Sequence, residues 1–267
     1  SAPSMGGAAS GGALPALQSL RFVFVSLIFI SHLQLDGSGL SAHAFDALAE
    51  GGVTFFFVLS GFVITRSYGP RLDEGTFSMH HFLLRRLRKL YPLHALCLAA
   101  SLLVYRQEGW KPLVANLLLV QSWVPLPGYY FSGNSVSWFL SSLLFCYALF
   151  PLLYRALVAS GEWTFRLCMC VILVAYGAYL CRVTDVNTFI YVAPYSRVVD
   201  FAVGMGFARY HRSLPPAGWV MMRRVMAVVL MAVTMVCYPL VSPAVRACSL
   251  FWVPSLTMIL TFAEAPA

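Results

Sequence analysis

Charged residues are scarce in this sequence, and their scarcity excludes an ordinary soluble domain. Asp, Glu, Lys and Arg together make up 10% of the 267 residues, whereas hydrophobic residues make up 60%. Soluble domains carry about 25% charged residues. The apolar runs are long enough to cross a bilayer as helices. The composition therefore predicts an all-α fold, a polytopic transmembrane helical bundle surrounded by the lipid bilayer.

Paired cysteines and metal-ligand clusters are also missing. The seven cysteines include no Cys-x-x-Cys pair and no Cys/His ligand spacing, and all except Cys248 fall in or beside apolar runs. Cysteines in such positions act as small buried apolar side chains. The sequence therefore predicts no structural metal site and no metal cofactor.

Acidic residues are outnumbered by basic ones, which gives the chain a formal net charge of +8. The basic residues lie between apolar runs, so they match loops that obey the positive-inside rule better than a nucleic-acid-binding surface. When successive spans are assigned to alternate faces, most Lys and Arg residues fall on the N-terminal face, and residues 36–50 contain none. The pattern predicts a cytoplasmic N-terminus and no nucleic-acid partner.

The apolar runs divide the chain into about eight predicted spans. Residues 1–16 are rich in Gly, Ala and Ser and are predicted to be a flexible segment, whereas residues 17–267 form the membrane domain. Residues 113–124 are too short to cross upright, so they are predicted to be interfacial or re-entrant. The spans are predicted at residues 17–35, 52–68, 92–105, 136–158, 165–181, 197–210, 223–241 and 247–263.

The first apolar run carries two polar side chains on one face. Arg21 lies in its first turn, and His32 follows eleven residues later. Eleven residues at about 100° each return to within roughly 20° of the starting direction, about 16 Å further along the axis. A cation and an imidazole are costly in lipid, so this face is predicted to line a protein interior or a polar cavity. That cavity is a candidate active site.

A basic segment, SMHHFLLRRLRKLYP, follows the second span. It predicts an amphipathic helix that begins at Ser78 and lies at the membrane interface. Its basic arc contains Arg85, Arg86, Arg88 and Lys89. These cations suit anionic lipid headgroups, and they suit equally a phosphorylated soluble ligand, because guanidinium binds phosphate through two hydrogen bonds. Spacing alone leaves both interpretations open.

Five blocks in the same order resemble the membrane-bound acyltransferase-3 family, which consists of polytopic O-acyltransferases. Arg21 and His32 match its signature of Arg or Lys followed after ten residues by His. GGVTFFFVLSGFVI resembles its glycine- and phenylalanine-rich block, and RRLRKLYP resembles its Arg-x-x-Arg block. Aligned on Pro92, that block falls on Arg86 and Lys89, whereas the literal spacing falls on Arg85 and Arg88. Weaker likenesses come from SWFLSSLLFCYALFPLL and SRVVDFAVGMGFA.

The resemblance implies acyl transfer from cytoplasmic acyl-CoA, with acetyl-CoA the expected co-substrate. The implied acceptor is a hydroxyl of a glycan, a lipid or a secondary metabolite, and the implied location is the bacterial cytoplasmic (inner) membrane. His32 would deprotonate that hydroxyl, with Asp36 holding its tautomer. Alternatively His32 would carry the acyl group covalently. Arg21 would bind donor phosphate or polarise the thioester.

The resemblance also suggests residues that bind the two substrates. Ser60 and Gly61 would let helices approach closely or let the acyl arm of the donor pass. The acceptor would contact Trp138, Arg197 and Asp200. Arg197 and Asp200 are three residues apart, so they can instead pair with each other. The donor phosphates would be held by Arg66, Arg85, Arg86, Arg88 and Lys89.

Two other classes of function stay open at the level of sequence. Buried charges also mark the substrate paths of transporters and flippases, although no repeat symmetry is visible between the two halves. A non-catalytic scaffold is the other class. Family members usually have a further pair of helices after the point where this chain stops, so we expect a C-terminally shortened member.

Overall fold

The computed structural model describes residues 15–32, 39–104, 109–180, 182–210, 219–247 and 249–263. Within these ranges the chain forms helices and turns and no β-strand, so the predicted all-α class is confirmed. Of the segment predicted to be flexible, Pro15 and Ala16 already belong to the first helix, and residues 1–14 lie outside the described residues.

Ten α-helices follow one another in the described residues. They are α1 (Pro15–Ser31), α2 (Gly39–Asp73), α3 (Met79–Val104), α4 (Trp110–Leu117), α5 (Pro127–Tyr130), α6 (Trp138–Leu180), α7 (Pro194–Tyr210), α8 (Val220–Cys237), α9 (Pro243–Arg246) and α10 (Trp252–Ala263). Short helical turns at Gln121–Trp123, Ser135–Ser137, Asn187–Tyr191 and Tyr238–Leu240 connect them.

Five helical segments in the described residues are long and apolar enough to span a membrane: His43–Asp73, Met79–Val104, Ser135–Ala159, Gly161–Tyr179 and Val220–Leu240. The third and fourth are the two parts of α6, which break at Gly161, where φ is 70°. Glycine adopts that conformation without a Cβ clash. Because α1, α7 and α10 are shorter, eight spans stays a prediction.

α2 begins well before its predicted start at Gly52, and the prediction of a loop over residues 36–50 is therefore wrong for residues 39–50. Four Ala and two Leu residues fall in positions 39–50, and both residue types favour helix. Ala47 is fully buried, and Gly51 packs against the ring of Phe251. Hydropathy marked the apolar part of the helix and missed its polar first turns.

α3 is one continuous helix, so the predicted division at Pro92 into an interfacial helix and a separate span is wrong. Proline removes one intrahelical hydrogen bond. Around it, the Tyr91 hydroxyl donates to Leu117 O at 2.9 Å and His94 Nε2 to Asn116 O at 3.0 Å. These bonds fasten α3 to α4, whose eight residues are too few to cross a bilayer.

α2 is the central helix, because it packs against α1, α7 and α10. Its crossing with α7 is reciprocal. A Cβ on Gly61 would lie 2.0 Å from Phe201 O, and a Cβ on Gly204 would lie 1.9 Å from Val58 O. Small residues permit such a close approach of two helix backbones.

The bundle has two ends, and the termini of several helices lie together at each. One, the His32 end, contains the C-terminal end of α1 and the first turns of α2, α7 and α10. The other, the Asp73 end, contains the C-terminal ends of α2, α7 and α10. α1 therefore crosses from the Asp73 end to the His32 end, with Phe24 stacked on Phe55 at 3.8 Å between ring centroids.

Candidate active site

The polar face of α1 opens onto a cavity at the His32 end. Val25, Ile28 and His32 all line it, as expected for residues at helical spacing on one face. Arg21 is half-buried and lies one turn before Val25, toward the Asp73 end. The two polar groups therefore stand at opposite ends of one apolar strip.

His32 follows the last residue of α1, and its imidazole is exposed. Its Nδ1 lies 2.7 Å from Ile28 O. A carbonyl oxygen only accepts, so Nδ1 donates to it, and in the neutral imidazole Nε2 then keeps its lone pair. An imidazole in this state can accept a proton at Nε2. The Ile28 carbonyl thus performs the orienting task predicted for Asp36, which itself lies outside the described residues.

The cavity beside His32 has a volume of about 350 Å³. Aromatic rings from four parts of the chain surround it, and Ser135 supplies a hydroxyl. Its lining consists of Val25, Ile28, His32, Val53, Phe56, Phe131, Ser135, Val136, Trp138, Phe139 and Tyr191. A cavity with flat apolar walls and few polar groups suits a ring-shaped or partly apolar ligand.

Trp138 and Tyr191 form one wall of this cavity. Their rings pack with centroids 4.9 Å apart, and Trp138 is 4% exposed. The structure therefore places Trp138, predicted to bind the acceptor, in the same cavity as His32. Burial raises the pKa of the Tyr191 phenol above its ordinary value. The sequence offered no signal for Tyr191, because it lies in a turn between helices.

Arg197 and Asp200 pair with each other, as their spacing allowed. Arg197 is fully buried, and its Nη1 lies 2.6 Å from Asp200 Oδ2. Its Nε donates to Tyr191 O and its Nη2 to Ala247 O, each at 2.7 Å. Trp252 Nε1 donates to the other carboxylate oxygen of Asp200. The pair faces protein on every side and holds the backbone of Tyr191 in place.

Nearer the Asp73 end, Arg86 turns into the bundle. Its guanidinium lies over three aromatic rings, 5.5 Å from Tyr68, 5.4 Å from Phe82 and 5.7 Å from Tyr147. Tyr147 is buried and within hydrogen-bonding reach of Ser60. No prediction from the sequence selected Tyr147. A polar phenol within an apolar helix is the feature that could have indicated it.

Arg21 joins this cluster, since it interacts electrostatically with both Tyr147 and Arg86. The two cations repel each other. Within the ranges that the structure describes, neither forms an ion pair with Asp or Glu, and Arg86 Nε is buried without a hydrogen-bond partner. Two uncompensated guanidiniums in a low-dielectric interior favour an anion between them.

The other predicted donor-binding residues lie elsewhere. Arg85, Arg88 and Lys89 are exposed, so each of the two proposed pairs contains at least one surface residue. Arg66 lines a different cavity at the Asp73 end. Gly61 lies in the crossing with α7, where a larger residue would clash with the backbone of Phe201. The structure therefore brings together Arg21, Ser60, Arg86 and Tyr147, and separately His32, Trp138 and Tyr191.

Apolar helices of membrane-spanning length define a polytopic membrane protein, and one face of α1 borders a cavity between them. The chain matches the model of the acyltransferase-3 family, described as an acyltransferase domain, over residues 14–264. It belongs to this family.

Related proteins match parts of the chain. Over 157 residues the chain is 33% identical to the acyltransferase MdmB of Streptomyces mycarofaciens. The matched region covers 53% of this chain and 39% of that protein. Over 47 residues the chain is 51% identical to protein 2 in the picA locus of Rhizobium radiobacter. This matched region covers 18% of this chain and 25% of that protein. The matches thus span less than half of each relative. No solved structure matches the chain.

Proposed function

We propose that the protein moves an acyl group, with acetyl the first candidate, from acyl-CoA to a hydroxyl of a glycan, lipid or secondary metabolite. The observation that carries this proposal is the face of α1 that has Arg21 at one end and His32 at the other. One helix face connects His32, whose Nε2 is free to accept a proton, with the uncompensated cations Arg21 and Arg86. The two ends are about 16 Å apart along the axis.

In this proposal the donor enters from the Asp73 end, which would be cytoplasmic. Arg86 and Arg21 hold an anionic part of acyl-CoA, because their donors have no carboxylate partner among the described residues. The exposed Arg85, Arg88 and Lys89 raise the local concentration of an anionic donor at the entrance. The narrow acyl-pantetheine arm of the donor then follows this face of α1 toward His32.

The acceptor enters at the His32 end. Its ring packs on Trp138 and its hydroxyl reaches His32 Nε2. The hydroxyl proton passes to Nε2 as the oxygen attacks the thioester carbonyl carbon. The carbon–sulfur bond then breaks, and the departing thiolate takes up a proton, which leaves an ester and free CoA. If His32 instead carries the acyl group, Nε2 attacks the carbonyl carbon, the carbon–sulfur bond breaks, and CoA leaves as a thiolate that takes up a proton. The acceptor hydroxyl then takes the acyl group from Nε2 and releases its proton, which restores the neutral imidazole.

The direct test uses membranes from cells that express the protein, supplied with acetyl-CoA labelled in the acetyl group. We expect label in the glycan, lipid or small-molecule fraction, and a loss of at least about a hundredfold for His32→Ala, as for removal of a general base. Arg155→Gln is the matched control, because Arg155 is exposed on α6. Equal label in His32→Ala and the unsubstituted protein contradicts the proposal. Acid-labile label on the protein itself identifies the covalent route.

A further inference from the structure

A second cavity at the Asp73 end takes no part in the proposed transfer. It has a volume of about 450 Å³ and lies between the C-terminal ends of α2, α7 and α10. Its position relative to α2 separates it from the Arg86 cluster. Arg66 lines the cavity, whereas Tyr68, two residues further, contacts Arg86. Two residues correspond to about 200° around a helix, so α2 stands between the two sites.

The charges in this second cavity are mainly positive. Arg66 and Arg209 both line it, and Asp73 supplies the one carboxylate among its described lining residues. That carboxylate already accepts a hydrogen bond from the Tyr154 hydroxyl at 2.9 Å. In the described part of the chain, no ion pair joins Asp73 to either arginine. Both guanidiniums therefore keep their donors for another acceptor.

Thr65 gives independent evidence for a ligand. It is 3% exposed and lines the cavity, yet its Oγ1 is buried without a hydrogen-bond partner in the described residues. Threonines in helices usually donate to the carbonyl four residues earlier. Thr234 and Thr261 do so in this molecule, each at 2.7 Å. A buried hydroxyl without an acceptor is costly, and an acceptor in the cavity would remove that cost.

We propose that this cavity binds a phosphate ester, with Arg66 and Arg209 forming charge-assisted hydrogen bonds and Thr65 donating its hydroxyl. Phosphate oxygens accept several such bonds at once. Phe62 and Leu260 line the same cavity and would contact the carbon part of the ligand. The ligand is either the headgroup of an anionic phospholipid or a soluble phosphate ester. The proposal does not depend on acyl transfer.

The test is native mass spectrometry of the purified chain in detergent, titrated with phosphatidylglycerol and, separately, with glycerol 3-phosphate as the soluble phosphate ester. Arg209→Gln should weaken binding of one of the two probes about tenfold, and Thr65→Val about threefold to tenfold. Valine keeps the shape of threonine, so this variant removes the hydroxyl without opening a void, and thermal unfolding verifies that it is folded. Arg155→Gln, an exposed cation at the same end, is the matched control.

The outcome also identifies the source of the phosphate. If the variants weaken phosphatidylglycerol binding and leave glycerol 3-phosphate binding unchanged, the cavity is a lipid site, and the reverse result assigns it to a soluble phosphate ester. If neither probe is affected by Thr65→Val and Arg209→Gln, or if Arg155→Gln weakens binding equally, the proposal is wrong. Either result leaves the labelling test of His32 unaffected, since that test measures acyl transfer.

Discussion

Two arginines, the fully buried Arg197 and the half-buried Arg86, lie in the same bundle and differ in how their hydrogen bonds are satisfied. Arg197 uses Nε, Nη1 and Nη2 for bonds to Tyr191 O, Asp200 and Ala247 O. Arg86 has aromatic rings around it, and its buried Nε has no partner in the described residues. Each position places a cation in an apolar interior, where an unpaired charge is expensive.

The difference separates a structural charge from one available to a ligand. Arg197 has its counter-ion in Asp200, three residues away on α7, so its interactions are complete in the folded protein. Arg86 has another cation, Arg21, as its electrostatic neighbour and has no acidic partner among the described residues. Burial alone would favour Arg197 as a ligand-binding residue. The hydrogen bonds favour Arg86 instead, because of the two only Arg86 has a buried donor without a partner in the described residues.

The largest effect on stability is expected at Asp200. Asp200→Asn leaves Arg197 buried without a counter-ion, and breaking a buried pair this way costs about 3–5 kcal/mol. The measurement is thermal unfolding in detergent, with Glu74→Gln as the control because Glu74 is exposed. An unchanged melting temperature for Asp200→Asn would mean that the pair is not structural, and the comparison with Arg86 would lose its basis.

Arg86→Gln should have the reverse profile. Removing this charge relieves its repulsion with Arg21, so the melting temperature should stay the same or rise. Transfer from labelled acetyl-CoA should fall about tenfold to a hundredfold, mainly through a higher KM for the donor, since a hydrogen bond to a charged group contributes about 1.5–3 kcal/mol.

Arg155→Gln controls for the general loss of a cation. A loss of stability in Arg86→Gln comparable to that in Asp200→Asn, with the KM for the donor unchanged, would assign Arg86 the structural role that Arg197 has.

A smaller effect is expected at the crossing of α2 and α7. Arg197 lies on α7, and Tyr68, whose ring contacts Arg86, lies on α2. Gly204→Ala would place a Cβ 1.9 Å from Val58 O, so the helices must separate. Overpacking of this kind costs about 2 kcal/mol. Gly177→Ala is the matched control, because nothing lies within 4 Å of its Cβ, and alanine should slightly favour the helix there. Equal melting temperatures for the two variants would show that the crossing tolerates the methyl group.

Periodicity and hydropathy predicted much of the helical framework and less of its boundaries. The early start of α2 and the continuity of α3 through Pro92 were missed, since both depend on packing and not on apolar content. The membrane-spanning count of eight and the cytoplasmic N-terminus stay predictions. Family membership, inferred from five short blocks, is shown by the match over residues 14–264.

The sequence by itself determined the class of protein and the common face of Arg21 and His32. Both follow from local rules, because apolar composition requires helices in lipid and the helical period places the two side chains on one strip. Only the tertiary structure decided that Arg86 points inward while its basic neighbours stay exposed. It alone showed that Arg197 is fully satisfied, since the partners Ala247 and Trp252 lie about fifty residues from the pair. Contacts between side chains distant in the chain depend on how helices pack, and no local pattern encodes them.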